Sequence, residues 1–260
     1  VLAATAPGEA EAAVLAAQLR VPRLRPDTDP VSLPPGQLLL ILDGDDAVLQ
    51  PTGPGSTGPV TLAFSDPALA QRRRAGHNEL IGRAVGWSAA RPPTVLDGTA
   101  GYGRDAFVLA DLGCRVELCE REPVMAALLD RAIARALASE DPWLSAVASR
   151  MLLREHDLRQ VASAALEGVD VIYLDPMFCH PRKTAPGKGM QVLQLLTDAR
   201  AGEQHDAAEL LAWALQQPVR RVVVKRPRKA PPLSGRRPSH DLRGRSVRFD
   251  VYPGPAQGPK

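Results

Sequence analysis

From Pro93 onward the chain repeats one grammar, in which a short apolar run is followed by a turn and then by a helix-like segment. "TVLDG" (94–98) reads as a strand, Asp105 to Leu112 as a helix, "CRVELCE" (114–120) as a strand and Pro123 to Leu137 as a helix. "VDVIYLD" (169–175) is again a strand, Ala207 to Gln216 a helix, "VRRVVVK" (219–225) a strand and "SVRFDVY" (246–252) the final strand. Strands separated by helices must return by crossovers, which makes their neighbours parallel and requires cover on both faces. The pattern therefore predicts an α/β fold with a parallel sheet sandwiched between helices.

The first 65 residues have a different texture. Residues 9–19 predict a short Ala-rich helix, and "QLLLILDGDDAVLQP" predicts two strands joined across Asp43-Gly44-Asp45. "PTGPGSTGP" (51–59) is a loop by composition, and "VTLAF" (60–64) is a candidate third strand. We read residues 1–65 as a small appended α/β unit and 66–260 as the principal domain. At the start of that domain, Glu79 to Val85 reads as a helix ended by Gly86. No internal repeat is evident.

Composition narrows the function classes. Three cysteines, Cys114, Cys119 and Cys179, without a CxxC pair argue against a disulfide framework or structural zinc. The N-terminal stretch carries Glu9 and Glu11 and lacks the basic start of a signal peptide, and no run reaches the ~18 apolar residues of a membrane span. A soluble, cytoplasmic setting is expected, with no metal. Net charge is only +3, but Arg220 to Arg248 contains eleven Lys or Arg against one acid, Asp241, a field suited to a polyanion. Aromatics make up 4% of the chain, so any base-stacking surface rests on few side chains.

Three constellations carry chemistry. Gly101-Tyr102-Gly103-Arg104-Asp105-Ala106 matches G-x-G-x-x-[GA] between a strand and a helix, where glycines allow a tight turn and helix amides face a ligand. Glu120, 17 residues past Gly103 at the next strand tip, suits the two ribose hydroxyls of an adenosine-containing ligand. These two features alone leave NAD and S-adenosylmethionine (SAM) both open. Asp97, four residues before Gly101, tilts the choice: a carboxylate there would repel a pyrophosphate but attracts an ammonium or sulfonium.

The third constellation is Asp175-Pro176-Met177-Phe178, at a later strand tip where ligands of open α/β sheets bind. A carboxylate followed by a proline carbonyl can accept both hydrogens of an exocyclic base amine and aim its nitrogen at a methyl donor, with Phe178 stacking on the base.

"DGTAGYGRDAF", Glu120-Arg121, "YLDPMF" and "VVVKRP" together resemble the RsmJ family of bacterial small-subunit ribosomal RNA methyltransferases, over about residues 93 to 233. The resemblance implies a class I SAM-dependent methyltransferase fold, Rossmann-like, acting on N2 of one guanine in 16S rRNA. Carried over by position, it implies cofactor contacts at Arg104, Asp105, Glu120, Arg121, His156, Asp157 and Asp175, beside Asp97, Gly101 and Gly103. Substrate positioning is assigned to Asp175, Pro176 and Phe178. Lys225, Arg226, Arg228 and Lys229 are candidates for RNA phosphates, as are Arg182, Lys183 and Lys188 after the DPMF motif. "QRRR" and "SVRFDVY" resemble the family more weakly, and "RRRAGHNEL" is shorter and poorer in glycine than the family's run.

Other classes compete. The same fold serves methyltransferases acting on another base, a protein or a small molecule, and a non-catalytic RNA-binding or ribosome-assembly protein can keep a cofactor pocket. A nicotinamide oxidoreductase is disfavoured by Asp97. The adjacent Cys179-His180 has no established mutual geometry, and a mechanism of positioning needs no covalent step. His77, His205 and His240 lack metal-like spacing.

Overall fold

The computed structural model describes residues 2–4, 9–25, 27–43, 46–65, 80–154, 157–176, 187–197 and 203–257. Along the chain the strands are β1 (Leu2–Ala4), β2 (Arg23–Leu24), β3 (Leu38–Asp43), β4 (Asp46–Pro51), β5 (Val60–Thr61) and β6 (Thr94–Asp97). They continue with β7 (Arg115–Cys119), β8 (Met151–Arg154), β9 (Val171–Leu174), β10 (Arg221–Pro227), β11 (His240–Arg243) and β12 (Val247–Pro253). The helices are α1 (Glu9–Leu19), α2 (Leu80–Val85), α3 (Arg104–Asp111), α4 (Pro123–Leu137), α5 (Pro142–Ala148), α6 (Lys188–Thr197) and α7 (Glu203–Ala214). Two compact units result: residues 1–63 with 122–135 and 180–201, and residues 64–121 with 136–179 and 202–260. The first unit draws in two later segments that a reading of contiguous stretches does not foresee.

In the first unit β1 lies between β2 and β3, parallel to both, while β3 and β4 pair antiparallel, as do β4 and β5. Leu39, Leu42 and Leu49 are fully buried there. The hairpin runs from Asp43 to its partner Asp46, and the tip of the expected turn, residues 44–45, lies outside the described residues. The "VTLAF" strand shortens to Val60–Thr61.

Among the described residues the second unit holds a seven-stranded sheet of order β11-β12-β10-β9-β6-β7-β8. Strands β10, β9, β6, β7 and β8 are mutually parallel. Beside these expected parallel strands, β12 runs antiparallel to β10, and β11 antiparallel to β12. No α-helical crossover separates β10 from β11, only a 3-10 turn at Leu233–Gly235, and β11 joins β12 through residues 244–246, too short a link for a parallel return.

Register and alternation explain the core. Val171-Ile172-Tyr173-Leu174 and Val222-Val223-Val224 are buried on both faces, as strands covered on each side must be. One face carries Leu96, Ile172, Leu174, Val222 and Val224, and packs with Ala207, Leu210, Leu211 and Ala214 of α7. The opposite face carries Tyr173, whose hydroxyl donates to Asp105 of α3 at 2.7 Å. Helix α2 ends as read: Gly86 is left-handed (φ 74°), and the amides of Gly86 and Trp87 donate to the carbonyls of Arg83 and Gly82, the Schellman pattern.

Candidate active site

Strand order doubles back between β6 and β9, which opens a crevice at their C-terminal ends. Asp97, the last residue of β6, stands in register with Tyr173 of β9, and Tyr173 with Val223 of β10. Period-two alternation then puts Asp97, Tyr173, Asp175 and Lys225 on the face that α3 covers. Four functional side chains thus converge from three strand ends, with Asp105 descending from the first turn of α3.

The glycine turn stitches these ends together. The amide of Gly98 donates to the Tyr173 carbonyl at 2.9 Å, Ala100 to the Cys119 carbonyl at 3.0 Å, and Gly101 to Glu120 Oε2 at 2.8 Å. Gly101 and Gly103 both have positive φ, 52° and 65°, so each needs glycine's freedom to let α3 start at residue 104. A side chain on Gly101 would meet nothing closer than the Thr99 carbonyl at 3.9 Å, which leaves an open cradle over the turn. At Gly98 a Cβ would lie 2.3 Å from Leu158 and 2.9 Å from Leu174, so there glycine serves close packing.

Charge gathers in this crevice. Lys225 Nζ donates to Asp105 Oδ2 at 2.6 Å and to Asp175 Oδ2 at 2.8 Å. The Asp175 amide donates to Thr99 Oγ1 at 2.6 Å, which fixes the chain as it leaves β9. Burial drives the Asp97 carboxyl up to about 8, a push that the Thr99 amide opposes and that Asp105, Asp175 and Glu120 reinforce. For Asp175, enclosure by protein raises the pKa, Lys225 pulls it back and Asp105 raises it again; with 38% of its side chain open to solvent, screening bounds that rise. Burial alone would depress the Lys225 ammonium, but Asp175 and Asp105 more than reverse this and hold it above its usual range. The result is an acidic well with one embedded cation, a setting for a positively charged ligand. SAM, with an ammonium and a sulfonium, matches it in charge, and Glu120 lies beside the open cradle.

Asp97, Gly101, Gly103, Asp105, Glu120 and Asp175 therefore share one site. Arg104, at the exposed start of α3, lies with its guanidinium 5.8 Å from the Tyr102 ring centroid. Arg121 and Asp157 are drawn into a separate ion network: Arg121 bonds Asp206, while Arg159 occupies both Asp157 oxygens and also reaches Asp206 and Glu209. A cofactor contact at Asp157 would have to share its carboxylate with that guanidinium. Pro176 is buried. His156, Met177, Phe178, Cys179, His180, Arg182, Lys183 and the stretch Arg72 to Arg74 lie outside the described residues, and Lys188 begins α6 in the first unit.

Two phosphate candidates need correction. Lys225 points into the acid cluster rather than outward, because period two carries it to the α3 face. Arg226 is 4% exposed on the opposite face and donates to the Pro231 carbonyl at 2.7 Å. Arg228 and Lys229 are exposed as expected of a polyanion contact. The reading from sequence missed Thr99 and Tyr173, which alternation from Asp97 and Asp175 could have signalled. Arg243 and Arg245, counted in the basic field but not singled out, are exposed at the β11–β12 turn, Arg243 being held by Asp241 at 2.9 Å; there Arg228 N donates to Ser246 O at 3.0 Å and joins the two basic loops. Among the described residues no three His, Cys, Asp or Glu side chains are grouped to hold a metal, and no helix is long and apolar enough to cross a membrane.

Known proteins resemble this chain over most of its length. A family model described as "Putative SAM-dependent methyltransferase" matches residues 33–254. A protein from Thioalkalivibrio sulfidiphilus named ribosomal RNA small subunit methyltransferase J is 46% identical over 220 residues, 83% of this chain and 84% of that protein. A protein of the same name from Pseudomonas syringae is 41% identical over 257 residues, 97% of this chain and 90% of the relative. The crystal structure of a SAM-dependent methyltransferase from Neisseria gonorrhoeae superposes with a TM-score of 0.72 at 34% identity, covering 100% of this chain and 97% of that one. The sheet order, with its antiparallel β12 inserted beside β10, is that of class I SAM-dependent methyltransferases. On the extent of these matches, the chain belongs to the ribosomal RNA small subunit methyltransferase J family of SAM-dependent enzymes.

Proposed function

We propose that this protein methylates the exocyclic N2 amine of a guanine in 16S ribosomal RNA of the small subunit. The names carried by its relatives supply the substrate class. The observation that carries the reading is Asp175: it leaves β9 beside the glycine turn, its Oδ2 is held by Lys225, and 38% of its side chain faces solvent. Lys225 engages Oδ2, and the reading assigns the carboxylate's other oxygen to the incoming amine.

SAM supplies a methyl group on a sulfonium when bound. The protein's part is orientation, for which a well-aligned pair of reactants needs little further help. Asp105 attracts the cationic end of the cofactor, Asp97 accepts from its ammonium and ionises as that charge arrives, Glu120 takes the ribose, and Asp175 with the Pro176 carbonyl grips the amine hydrogens so that the nitrogen lone pair is aimed. Phe178 stacks on the base. Transfer joins nitrogen to the methyl carbon and leaves the carbon–sulfur electron pair on sulfur. The nitrogen becomes acidic as that bond forms and sheds one proton late, past the half-open Asp175 to water. Arg228 and Lys229, together with Arg243 and Arg245 of the neighbouring turn, hold phosphates of the RNA, as do Arg182, Lys183 and Lys188. In this reading residues 66–260 carry the chemistry and residues 1–65 are an appendage.

The test is transfer of labelled methyl from SAM to small-subunit RNA or subunits lacking the modification, followed by mass mapping of the product. Asp175→Ala should lose at least about 100-fold in kcat while still binding S-adenosylhomocysteine. Transfer to another class of acceptor, or full activity in Asp175→Ala, would overturn the proposal.

A further inference from the structure

Lys225 was expected at an RNA phosphate, yet its ammonium lies between the Asp105 and Asp175 carboxylates at 2.6 and 2.8 Å with 24% of the side chain exposed. Ordering a lysine and partly desolvating it opposes this placement, so the pairing must do something for the site. Resting on the functional reading above, we propose that Lys225 is a positioning residue for methyl transfer: one ammonium fixes the amine-gripping carboxylate to the cofactor-side helix.

Three observations support it. First, Asp175 has few other restraints: its amide is pinned by Thr99 Oγ1, but among the described residues its carboxylate bonds only Lys225. Without that bond the side chain can turn about χ1 and χ2 away from the amine. Second, the anchor is rigid. Asp105 Oδ2 also accepts from the hydroxyl of Tyr173, which is 0% exposed, and Lys225 stands in register with Phe249, whose ring lies 6.4 Å from that of Tyr173. Third, among the described residues the other groups shown to act with Asp175 are acidic or neutral: Asp105 from α3, Asp97 from β6 and Tyr173 from β9. Removing Lys225 leaves carboxylates facing one another and favours protonation of Asp175, and a protonated acid is a poorer acceptor for two amine hydrogens.

The experiment compares wild-type protein with Lys225→Met and Lys225→Arg, using SAM and unmodified small subunits across pH 5–9. We expect Lys225→Met to lose about 100-fold in kcat and to shift the acidic limb of kcat upward by about one unit or more. Its affinity for SAM should be equal or higher, because a cation has left an acidic well. Lys225→Arg should recover about tenfold of the loss and keep the wild-type acidic limb. A merely structural role would lower melting temperature, cofactor affinity and kcat together and leave the limb in place. A second measurement needs no RNA: the Asp175 carboxyl carbon, assigned by its absence in Asp175→Asn, should titrate at higher pH in Lys225→Met, or in Lys225→Gln if the first variant folds poorly. An unmoved titration, or a kcat within about threefold of wild type with an unmoved limb, overturns the inference. Failure of wild type itself to methylate small-subunit RNA would instead overturn the functional reading, and the titration would still judge Lys225.

Discussion

Asp97 is an acid held where acids are costly, at 2% exposure and with its carboxyl pushed up to about 8. Because the folded pKa is raised above the unfolded value of about 3.9, the folded state binds more protons between those limits. Stability from this residue is thus full below pH 4 and declines as pH rises toward 8. Asp97→Asn, which keeps an acceptor for the Thr99 amide, should therefore melt higher than the parent at pH 8 by at least about 2–4 °C, the shift of 1 kcal/mol in a protein of this size. The gain should shrink at pH 5, and cofactor affinity should fall in the same variant; scanning calorimetry with and without S-adenosylhomocysteine checks both. A melting gain that is independent of pH would contradict the buried-charge account.

At the scale of elements, a buried ion pair within β12 ties that strand to the segment leaving β10. Arg248, 6% exposed, grips Asp250, 0% exposed, at 2.6 and 3.0 Å, and its remaining nitrogen donates to the Arg228 and Ala230 carbonyls. Arg248→Met should cost about 3–5 kcal/mol in urea denaturation by stranding the Asp250 charge, and adding Asp250→Leu should recover much of it. Such elements differ in how plainly the sequence announces them. β6, β7, β9, β10, α3 and α4 were legible because apolar runs alternate with helical segments and glycines mark the breaks. β11, "HDLR", was not, since a half-exposed edge strand shows no apolar alternation. β8, "MLLR", leaves Leu152 56% exposed and is too brief to signal itself. α5 begins at Asp141-Pro142, which reads equally as a turn until the Trp143 amide is seen to be capped by Asp141. At the site, the glycine turn, Glu120 and the acids at strand tips could be read directly. The fate of Lys225 and Arg226 could not, because neighbours in sequence on a strand face opposite ways and only register says which face is which.

Across the second unit, the crevice and the loops beside it differ in charge. Acids converge inside the crevice, whereas Arg228, Lys229 and Arg245 on loops and Arg243 at the end of β11 are exposed at the same C-terminal end of the parallel strands. That division predicts separable phenotypes. Paired Arg228→Ala and Lys229→Ala should weaken RNA binding and reduce the slope of log K against log salt by about 0.7–0.9 per lost phosphate contact, with S-adenosylhomocysteine affinity unchanged. Arg243→Ala with Arg245→Ala should act alike in filter binding at several salt concentrations. Unaltered slopes in both pairs would remove these loops from the RNA face.

The acidic crevice has a kinetic corollary. Fresh methyl donor enters with one net positive charge, whereas the spent thioether that remains after reaction is neutral overall. If the donor sits among these carboxylates, charge alone predicts a weaker hold on the by-product than on the next donor, which competition between the two in a binding titration checks.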